Sequence, residues 1–194
     1  AGQQHLATVG LASGGYMAAQ FHLAYSNQVQ GAAIIAAGPV YCAANSLAVA
    51  FEHCLNKPDS KPDLTGATTY LQAQQQAGAI DDLNNLKDDK VWLFHGTKDA
   101  TVAGVVSDAL KAQYQTLVDA ANIRYINDQN VAHHFPTDGN KGTACLVSEA
   151  PFLGNCQYDA AGLLLGHLLP ALKPKATSAG GELITIIQHQ LAAV

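Results

Sequence analysis

Residues 8–17 read TVGLASGGYM and lie at the junction between two contrasting patterns. An apolar, strand-like run over residues 5–11 leads into the stretch, and a helical pattern follows it at once. Gly10 and Gly14 are spaced as in Gly-x-Ser-x-Gly, the nucleophile elbow, in which a strained strand-to-helix turn presents a serine to substrate. The central position here is Ala12, which has no nucleophile. The stretch therefore predicts the turn and leaves its chemistry open.

Strand-like and helical patterns alternate along the rest of the chain. This alternation predicts an α/β fold with a mostly parallel sheet, whose catalytic groups collect at the carboxyl ends of the strands. Residues 39–63 read as a loop, and residues 64–88 as a polar helical insertion outside the core. The predicted strands are residues 5–11, 31–38, 90–96, 123–128 and 182–190, and the predicted helices are residues 14–26, 102–118 and 159–172.

An acid and a pair of histidines follow two of these strands. Asp99 comes just after residues 90–96, and His133 and His134 come after residues 123–128. The chain order of nucleophile position, acid and histidine is that of α/β-hydrolases. Taken alone, Asp99 is better explained as a cap of the following helix than as a catalytic residue. The sequence pattern does not decide between the two adjacent histidines.

Composition limits the class of protein. The chain has 194 residues, enough for one domain with a sizeable core, and 48% of them are hydrophobic. A net charge of −5 with a single arginine argues against a nucleic-acid partner, and no apolar run is long enough to span a membrane. No signal peptide is visible at residue 1, so we expect any such segment to have been removed.

Four cysteines point to an oxidising compartment. None forms a CxxC pair, which argues against a zinc site, and we expect no metal. Three disulfide connectivities are possible, and short loop closure favours the local pairs Cys42–Cys54 and Cys145–Cys156. Bridged cysteines indicate a secreted protein, whereas four reduced, buried cysteines in a cytosolic protein are the alternative.

Several motifs, in order, resemble one family. The stretch GLASGGYMAAQFHLAYSNQVQGAAIIAAGPVYCA, followed by GTKDATV, AHHFPTD and CLVSEAPFLGNCQYDAAG, resembles extracellular polyhydroxybutyrate (PHB) depolymerases, and most closely their circularly permuted, single-domain type. The resemblance covers roughly residues 5–172. It implies an α/β-hydrolase-like fold with a triad in which Ala12 occupies the nucleophile position, Asp99 is the acid and His133 is the base. The two local cysteine pairs match the family's disulfides.

The resemblance also implies an activity. A serine esterase of this type hydrolyses ester bonds of poly-(R)-3-hydroxybutyrate or its oligomers through an acyl-enzyme, with no cofactor, outside the cell. In this chain Ala12 replaces the expected serine, as an engineered or a natural variant, and the chain as written is expected to be inactive. Ser13 supplies one oxyanion donor through its N–H and is a weaker alternative nucleophile. Another secreted carboxylic-ester hydrolase and an inactive polyester-binding module are the alternative functions.

Set against the same family, the sheet is expected to be incomplete in this chain. Residues 1–172 are interpreted as the half of the hydrolase core that carries the elbow, acid and histidine, residues 173–181 as a linker, and residues 182–194 as the start of a further strand segment. An α/β-hydrolase sheet has strands before the nucleophile strand, and a loop among them gives the second oxyanion donor. We expect the rest of the same protein, or a second chain, to complete the sheet.

Overall fold

A computed structural model describes residues 6–57, 59, 61–178, 180–182 and 184–187. A four-stranded sheet organises the chain, with all neighbouring strands parallel and in the order β1-β2-β3-β4. The predicted α/β class with a mostly parallel sheet is confirmed. The strands are β1 (Leu6–Leu11), β2 (Val29–Ile35), β3 (Lys90–Phe94) and β4 (Ile123–Ile126).

Five α-helices connect and cover the strands in the described part of the chain. The three helices predicted at residues 14–26, 102–118 and 159–172 are present, and each is shorter than its sequence pattern. They are α1 (Ser13–Ala24), α2 (Leu47–His53), α3 (Leu64–Gln76), α4 (Gly104–Gln115) and α5 (Ala160–Leu168), with short 3₁₀ helices at Leu83–Asp88 and Ala120–Asn122.

The central strands are buried on both faces because helices pack on each side. Alternate residues of β2 and β3, such as Ile34 and Leu93, join one core cluster with residues of α1 and α4. Their neighbours Ile35 and Phe94 join a second cluster, on the other face, with residues of α5. This explains why both strands read as continuous apolar runs rather than as alternating patterns.

Two expectations about residues 39–88 were wrong. The predicted loop contains helix α2, which begins where the Ser46 hydroxyl accepts the Val49 N–H at 3.3 Å. The predicted insertion is part of the core, because Leu71 and Leu86 are buried in the cluster with α1 and α4. The many glutamines and asparagines around these two leucines conceal their helical spacing.

A small second sheet was not predicted. Its three strands are parallel, in the order β5-β7-β6, and only two or three residues long, too short to give a periodic pattern. It lies in the segment after the two histidines that contains the second cysteine pair. The strands are β5 (Phe135–Thr137), β6 (Thr143–Ala144) and β7 (Leu153–Asn155).

The two ends of the described chain are less enclosed. Strand β1 is an edge strand, and its residues Leu6 and Val9 are 46% and 49% exposed. Of the strand predicted at residues 182–190, the described residues 182 and 184–187 are not in a strand, and the others lie outside the described residues. Within the described chain, no helix has the length and apolar character to cross a membrane.

Candidate active site

A strained turn follows β1 where the elbow was predicted. Ala12 has φ 53° and ψ −120°, a conformation that costs a non-glycine residue free energy and is held only by its surroundings. Its N–H donates to the Ile35 carbonyl at 3.0 Å, and its own carbonyl accepts the Tyr16 N–H at 2.9 Å. The turn is thereby fixed to β2 on one side and to the first turn of α1 on the other.

Close packing explains the first glycine of the pentapeptide. A Cβ at Gly10 would lie 2.0 Å from the Gly14 carbonyl oxygen, so no side chain fits there while the turn keeps its shape. At Gly15 a Cβ would lie 2.8 Å from the Ala37 side chain, where α1 crosses β2. The glycines therefore allow the helix to begin directly against the strand ends.

Ser13 is the first residue of α1, directly after the apex of the turn. The first N–H groups of a helix have no partner within the helix, so the Ser13 N–H is available to an oxyanion. The residue in the strained conformation is Ala12 and not Ser13. The geometry of an elbow therefore belongs to position 12.

Asp99 and His133 form a buried, hydrogen-bonded pair after β3 and β4. The His133 Nδ1–H donates to Asp99 Oδ2 at 2.8 Å, and the Asp99 side chain is fully buried. The other carboxylate oxygen, Oδ1, accepts the N–H groups of Thr101 at 2.8 Å and Val102 at 2.9 Å. These bonds fix the carboxylate, and the Nδ1–H tautomer leaves His133 Nε2 as the proton acceptor.

Hydrogen bonds bear on the two questions that the sequence left open, which are whether Asp99 caps a helix and which histidine it contacts. Asp99 does not cap α4, since that helix begins at Gly104 with Ala103 as its N-cap and without a side-chain cap. His134 does not pair with Asp99, because its Nε2–H donates instead to the Cys145 carbonyl at 2.7 Å.

The three predicted positions lie at the same edge of the sheet. In the strand register Leu11 pairs with Ile35, Ile35 with Phe94, and Phe94 with Ile126, so the four strands end side by side. The elbow, the acid and the histidine all follow these ends. The structure pairs Asp99 with His133 and places the Ala12 turn at the same carboxyl edge.

Tyr16 links the elbow helix to the segment of the first disulfide, a role that has little signal in the sequence. Burial raises the pKa of the Tyr16 hydroxyl above its ordinary value, and the nearby negative charge of Asp99 contributes to the same shift. The hydroxyl therefore stays protonated and donates to the Cys54 carbonyl. The only sequence signal for this role is its place one helical turn after Ala12.

Both cysteine pairs are bridged in the favoured local pattern, Cys42–Cys54 and Cys145–Cys156. A ring nitrogen of His134 and the sulfurs of Cys145 and Cys156 lie within 4.8 Å of one another, which is the one metal-like grouping of three found among the described residues. Because both sulfurs are in a disulfide, neither is a thiolate ligand while the bridge is intact.

A cavity of about 620 Å³ adjoins Tyr16 between α1 and the segment bounded by the first disulfide. Its lining is mainly apolar, and Tyr16 in its wall lies one helical turn after Ala12. The residues that line it include Tyr16, Gln20, Tyr41, Phe51, Leu55 and Tyr70.

A second histidine–carboxylate pair lies away from these strand ends. His22 is fully buried, with its Nε2 3.0 Å from Asp89 Oδ2 and its Nδ1 3.1 Å from the Tyr114 hydroxyl. His22 is in α1, Tyr114 is in α4, and Asp89 directly precedes β3. The group therefore ties two helices to the amino end of the sheet.

A parallel sheet with a strained turn after one strand, and an acid–histidine pair after two others, defines the α/β-hydrolase class of fold. Comparison with known proteins then identifies the relatives. The chain is 40% identical over 185 residues to a poly(3-hydroxybutyrate) depolymerase from Delftia acidovorans, and 33% identical over 183 residues to a polyhydroxybutyrate depolymerase from Talaromyces funiculosus. These matches cover 93% and 92% of the chain, and the sequence matches no protein-family model.

Two solved structures of PHB depolymerases are also similar to this chain. A PHB depolymerase with a serine-to-alanine substitution, complexed with an R3HB trimer, superposes on 91% of this chain with a TM-score of 0.81 and 33% identity. A PHB depolymerase from Penicillium funiculosum gives the same coverage and TM-score at 32% identity. The predicted resemblance to PHB depolymerases is therefore confirmed.

The chain is shorter than these relatives. It spans 37% of the Delftia acidovorans protein, 52% of the Talaromyces funiculosus protein and 55% of each of the two solved chains.

Proposed function

We propose that this chain carries the elbow, acid and histidine of a serine esterase that hydrolyses ester bonds of poly-(R)-3-hydroxybutyrate or its oligomers. The observation that carries the proposal is the buried Asp99–His133 pair at the same sheet edge as the strained turn at Ala12. The similarity to PHB depolymerases over more than nine-tenths of the chain supports the choice of substrate.

The residues present account for the proton transfers of acyl transfer. With serine at position 12, His133 Nε2 takes the hydroxyl proton as the oxygen attacks the ester carbonyl, and then returns that proton to the departing alcohol. Water releases the acyl group by the same two transfers, which regenerates the serine. Asp99 holds the imidazole in the required tautomer and stabilises its charged form.

The oxyanion that develops on the carbonyl oxygen needs donors in fixed positions. The Ser13 N–H, at the start of α1, is one such donor, and the positive end of the helix dipole adds to its effect. We propose that the second donor comes from outside the described residues, from the strands that continue the sheet beyond β1.

Ala12 removes the attacking oxygen, and the chain as it stands is proposed to bind ester without turning it over. An engineered replacement and a natural one have the same chemical consequence. In subtilisin, loss of the nucleophile lowers kcat by about 10⁶-fold. The alanine also favours a second candidate function, a polyester-binding module that keeps the hydrolase fold without catalysis.

We further propose that the sheet continues across β1 and that the protein acts outside the cell. The edge position of β1 and the exposure of Leu6 and Val9 support a neighbouring strand, from the rest of the same protein or from a second chain. The two disulfides support an oxidising, extracellular location. In this organisation residues 173–181 are a linker and residues 182–194 begin the segment that completes the sheet.

Hydrolysis assays test the proposal. The protein expressed from its complete coding sequence is compared with its Ala12→Ser variant on p-nitrophenyl butyrate and on a PHB suspension. We expect activity only in the variant, and we expect a further Asp99→Asn change to lower kcat by about 10⁴-fold, as loss of the correct tautomer does in serine proteases.

Each other outcome identifies a different function. Equal activity in both proteins would move the nucleophile to Ser13, and activity on p-nitrophenyl butyrate alone would indicate a different ester hydrolase. Tight binding of hydroxybutyrate oligomers without turnover in either protein would favour the binding module. An unchanged rate after Asp99→Asn would contradict the assignment of the acid.

A further inference from the structure

Three consecutive residues around His133 are all bonded to one short loop. The Ala132 N–H donates to the Cys145 carbonyl at 3.0 Å, and the His134 Nε2–H donates to the same carbonyl at 2.7 Å. Between them, the His133 N–H donates to the Ser148 hydroxyl oxygen at 2.8 Å. The backbone of Ala132 and His133, and the ring of His134, are therefore held by residues 145–148.

The loop is itself fixed to the body of the fold. Cys145 is bridged to Cys156, just after β7, and the Cys156 N–H donates to the Thr137 carbonyl of β5 at 3.1 Å. His133 precedes β5 and belongs to no helix or strand, so regular structure does not set its position. Its position relative to Asp99 therefore depends on the hydrogen bonds to residues 145–148.

We propose that Ser148 is a positioning residue for the proposed reaction, acting through the backbone N–H of His133. The inference rests on the proposed function only in treating His133 as the base. Without the hydroxyl the N–H of a nearly buried residue loses its acceptor, and the imidazole gains freedom to leave the line of the Asp99 carboxylate. Small displacements of a catalytic group lower rate far more than they lower stability.

Ser148 is a better test of this attachment than His134. Ser148 lies on the exposed part of the loop, so its removal leaves the core intact. His134 is 1% exposed, and its ring lies against Gly154, where a Cβ would be 1.7 Å from the ring carbon Cε1. A change at His134 would therefore disturb packing as well as position.

The loop offers a matched control for loss of a hydroxyl. Thr143 Oγ1 donates to the carbonyls of Val147 and Leu153 in the same region, at 3.3 Å each, without touching His133. Thr143→Val therefore removes a hydroxyl from the neighbouring strand β6 and leaves the His133 N–H with its acceptor. Ser148→Thr keeps the hydroxyl and is the conservative rescue.

The first readout needs no catalysis. In ¹⁵N-histidine-labelled protein from the complete coding sequence, still carrying Ala12, the proton of the Asp99–His133 hydrogen bond gives a far-downfield NMR signal. We expect Ser148→Ala to broaden this signal or move it upfield, and we expect Thr143→Val and Ser148→Thr to leave it in place. The same effect from Thr143→Val, or no effect from Ser148→Ala, would overturn the proposal.

Kinetics give the second readout. In the Ala12→Ser background we expect Ser148→Ala to lower kcat roughly tenfold with little change in KM, and Ser148→Thr to restore most of the loss. If Ala12→Ser proves inactive while the NMR pattern holds, the proposed function fails and the positioning role of Ser148 stands. A downfield signal missing from the parent protein would contradict the Asp99–His133 pair, and both proposals with it.

Discussion

At the scale of single residues, the candidate site combines one strained residue with one fixed hydrogen-bonded acid–histidine pair. Ala12 is held at positive φ because its N–H and carbonyl are both bonded, and Asp99 is held because both carboxylate oxygens accept hydrogen bonds. Such strain persists only where the surroundings enforce it, and it collects at functional positions. Residue 12 therefore has the strained backbone conformation of an elbow, and its side chain is a methyl group.

Glycine at position 10 is required by this turn. We expect Gly10→Ala to lower the free energy of unfolding by about 3 kcal/mol, because the new Cβ meets the Gly14 carbonyl oxygen at 2.0 Å. Gly166→Ala, in helix α5 with nothing within 4 Å of its Cβ, is the matched control and should raise the same quantity by about 0.5–1 kcal/mol. Urea titration measures both, and equal effects would contradict a tight elbow.

At the scale of elements, the long strands and helices follow from the sequence and the short pieces do not. The runs that became β2 and β3 are apolar throughout because both faces are buried, a pattern that periodicity detects. Helix α2 has no buried residue, and the strands β5 to β7 have two or three residues each, so neither has an apolar period. Disulfides and side-chain hydrogen bonds hold these segments instead.

The two disulfides have different expected roles. Replacing either pair by serines should cost about 3 kcal/mol of unfolding free energy, because the bridges close loops of similar length, with sequence separations of 12 and 11 residues. In the Ala12→Ser background, loss of Cys145–Cys156 should also lower kcat by at least tenfold, since that bridge fixes the loop that holds His133. Thermal unfolding and steady-state kinetics together test this, and equal kinetic effects from the two replacements would contradict it.

Helices α1 and α4 meet at a buried tyrosine that should make the fold sensitive to alkali. Burial, with the charge of Asp89, raises the pKa of Tyr114 well above its ordinary value. Its contribution to stability is complete below the pKa of about 10 of an unfolded tyrosine, and it decreases as the pH rises from there toward the folded-state pKa.

We expect this tyrosine to contribute a loss of about 1.4 kcal/mol per pH unit above pH 10. Tyr114→Phe should reduce the slope of unfolding free energy against pH by that amount, whatever it does to stability at pH 7. Urea titrations between pH 9 and 11 give the slope. The half-exposed Tyr25 provides the control, as Tyr25→Phe. Equal slopes in all three proteins would contradict the assignment.

At the scale of the whole molecule, the described chain presents one open side. β1 is an edge strand, and the neighbouring helix α1 carries exposed apolar residues, including Met17 at 63% exposure and Phe21 at 40%. A long apolar edge of this kind associates with another strand unless it is covered. The relatives are longer than this chain, which agrees with a sheet that continues beyond β1.

This open edge gives a prediction about association. We expect the 194-residue chain to self-associate in sedimentation velocity, and the protein from the complete coding sequence to do so much less. Val9→Lys, which puts a charge on the exposed edge, should lower the association of the 194-residue chain. A 194-residue chain that stays monomeric at high concentration would contradict the role assigned to the edge.

The elbow turn, the parallel strands and the chain order of the candidate acid and histidine could be predicted from the sequence because those features are local or periodic. The pattern alone could not choose between His133 and His134, and only the family resemblance pointed to His133. Adjacent residues share every pattern, and it is their tertiary contacts with Asp99 and Cys145 that differ. Ser148 was missed for a similar reason. A serine in an irregular loop carries no signal until the fold brings it against the His133 N–H.

Covalent labelling tests the assignment of position 12 most directly. A fluorophosphonate reacts with a serine activated by a histidine, and fragment-ion mass spectrometry separates residues 12 and 13. Both proteins are expressed from the complete coding sequence. We expect a label at position 12 in the Ala12→Ser variant and none in the parent. A label on Ser13 in both proteins, or no label in the variant, would contradict it.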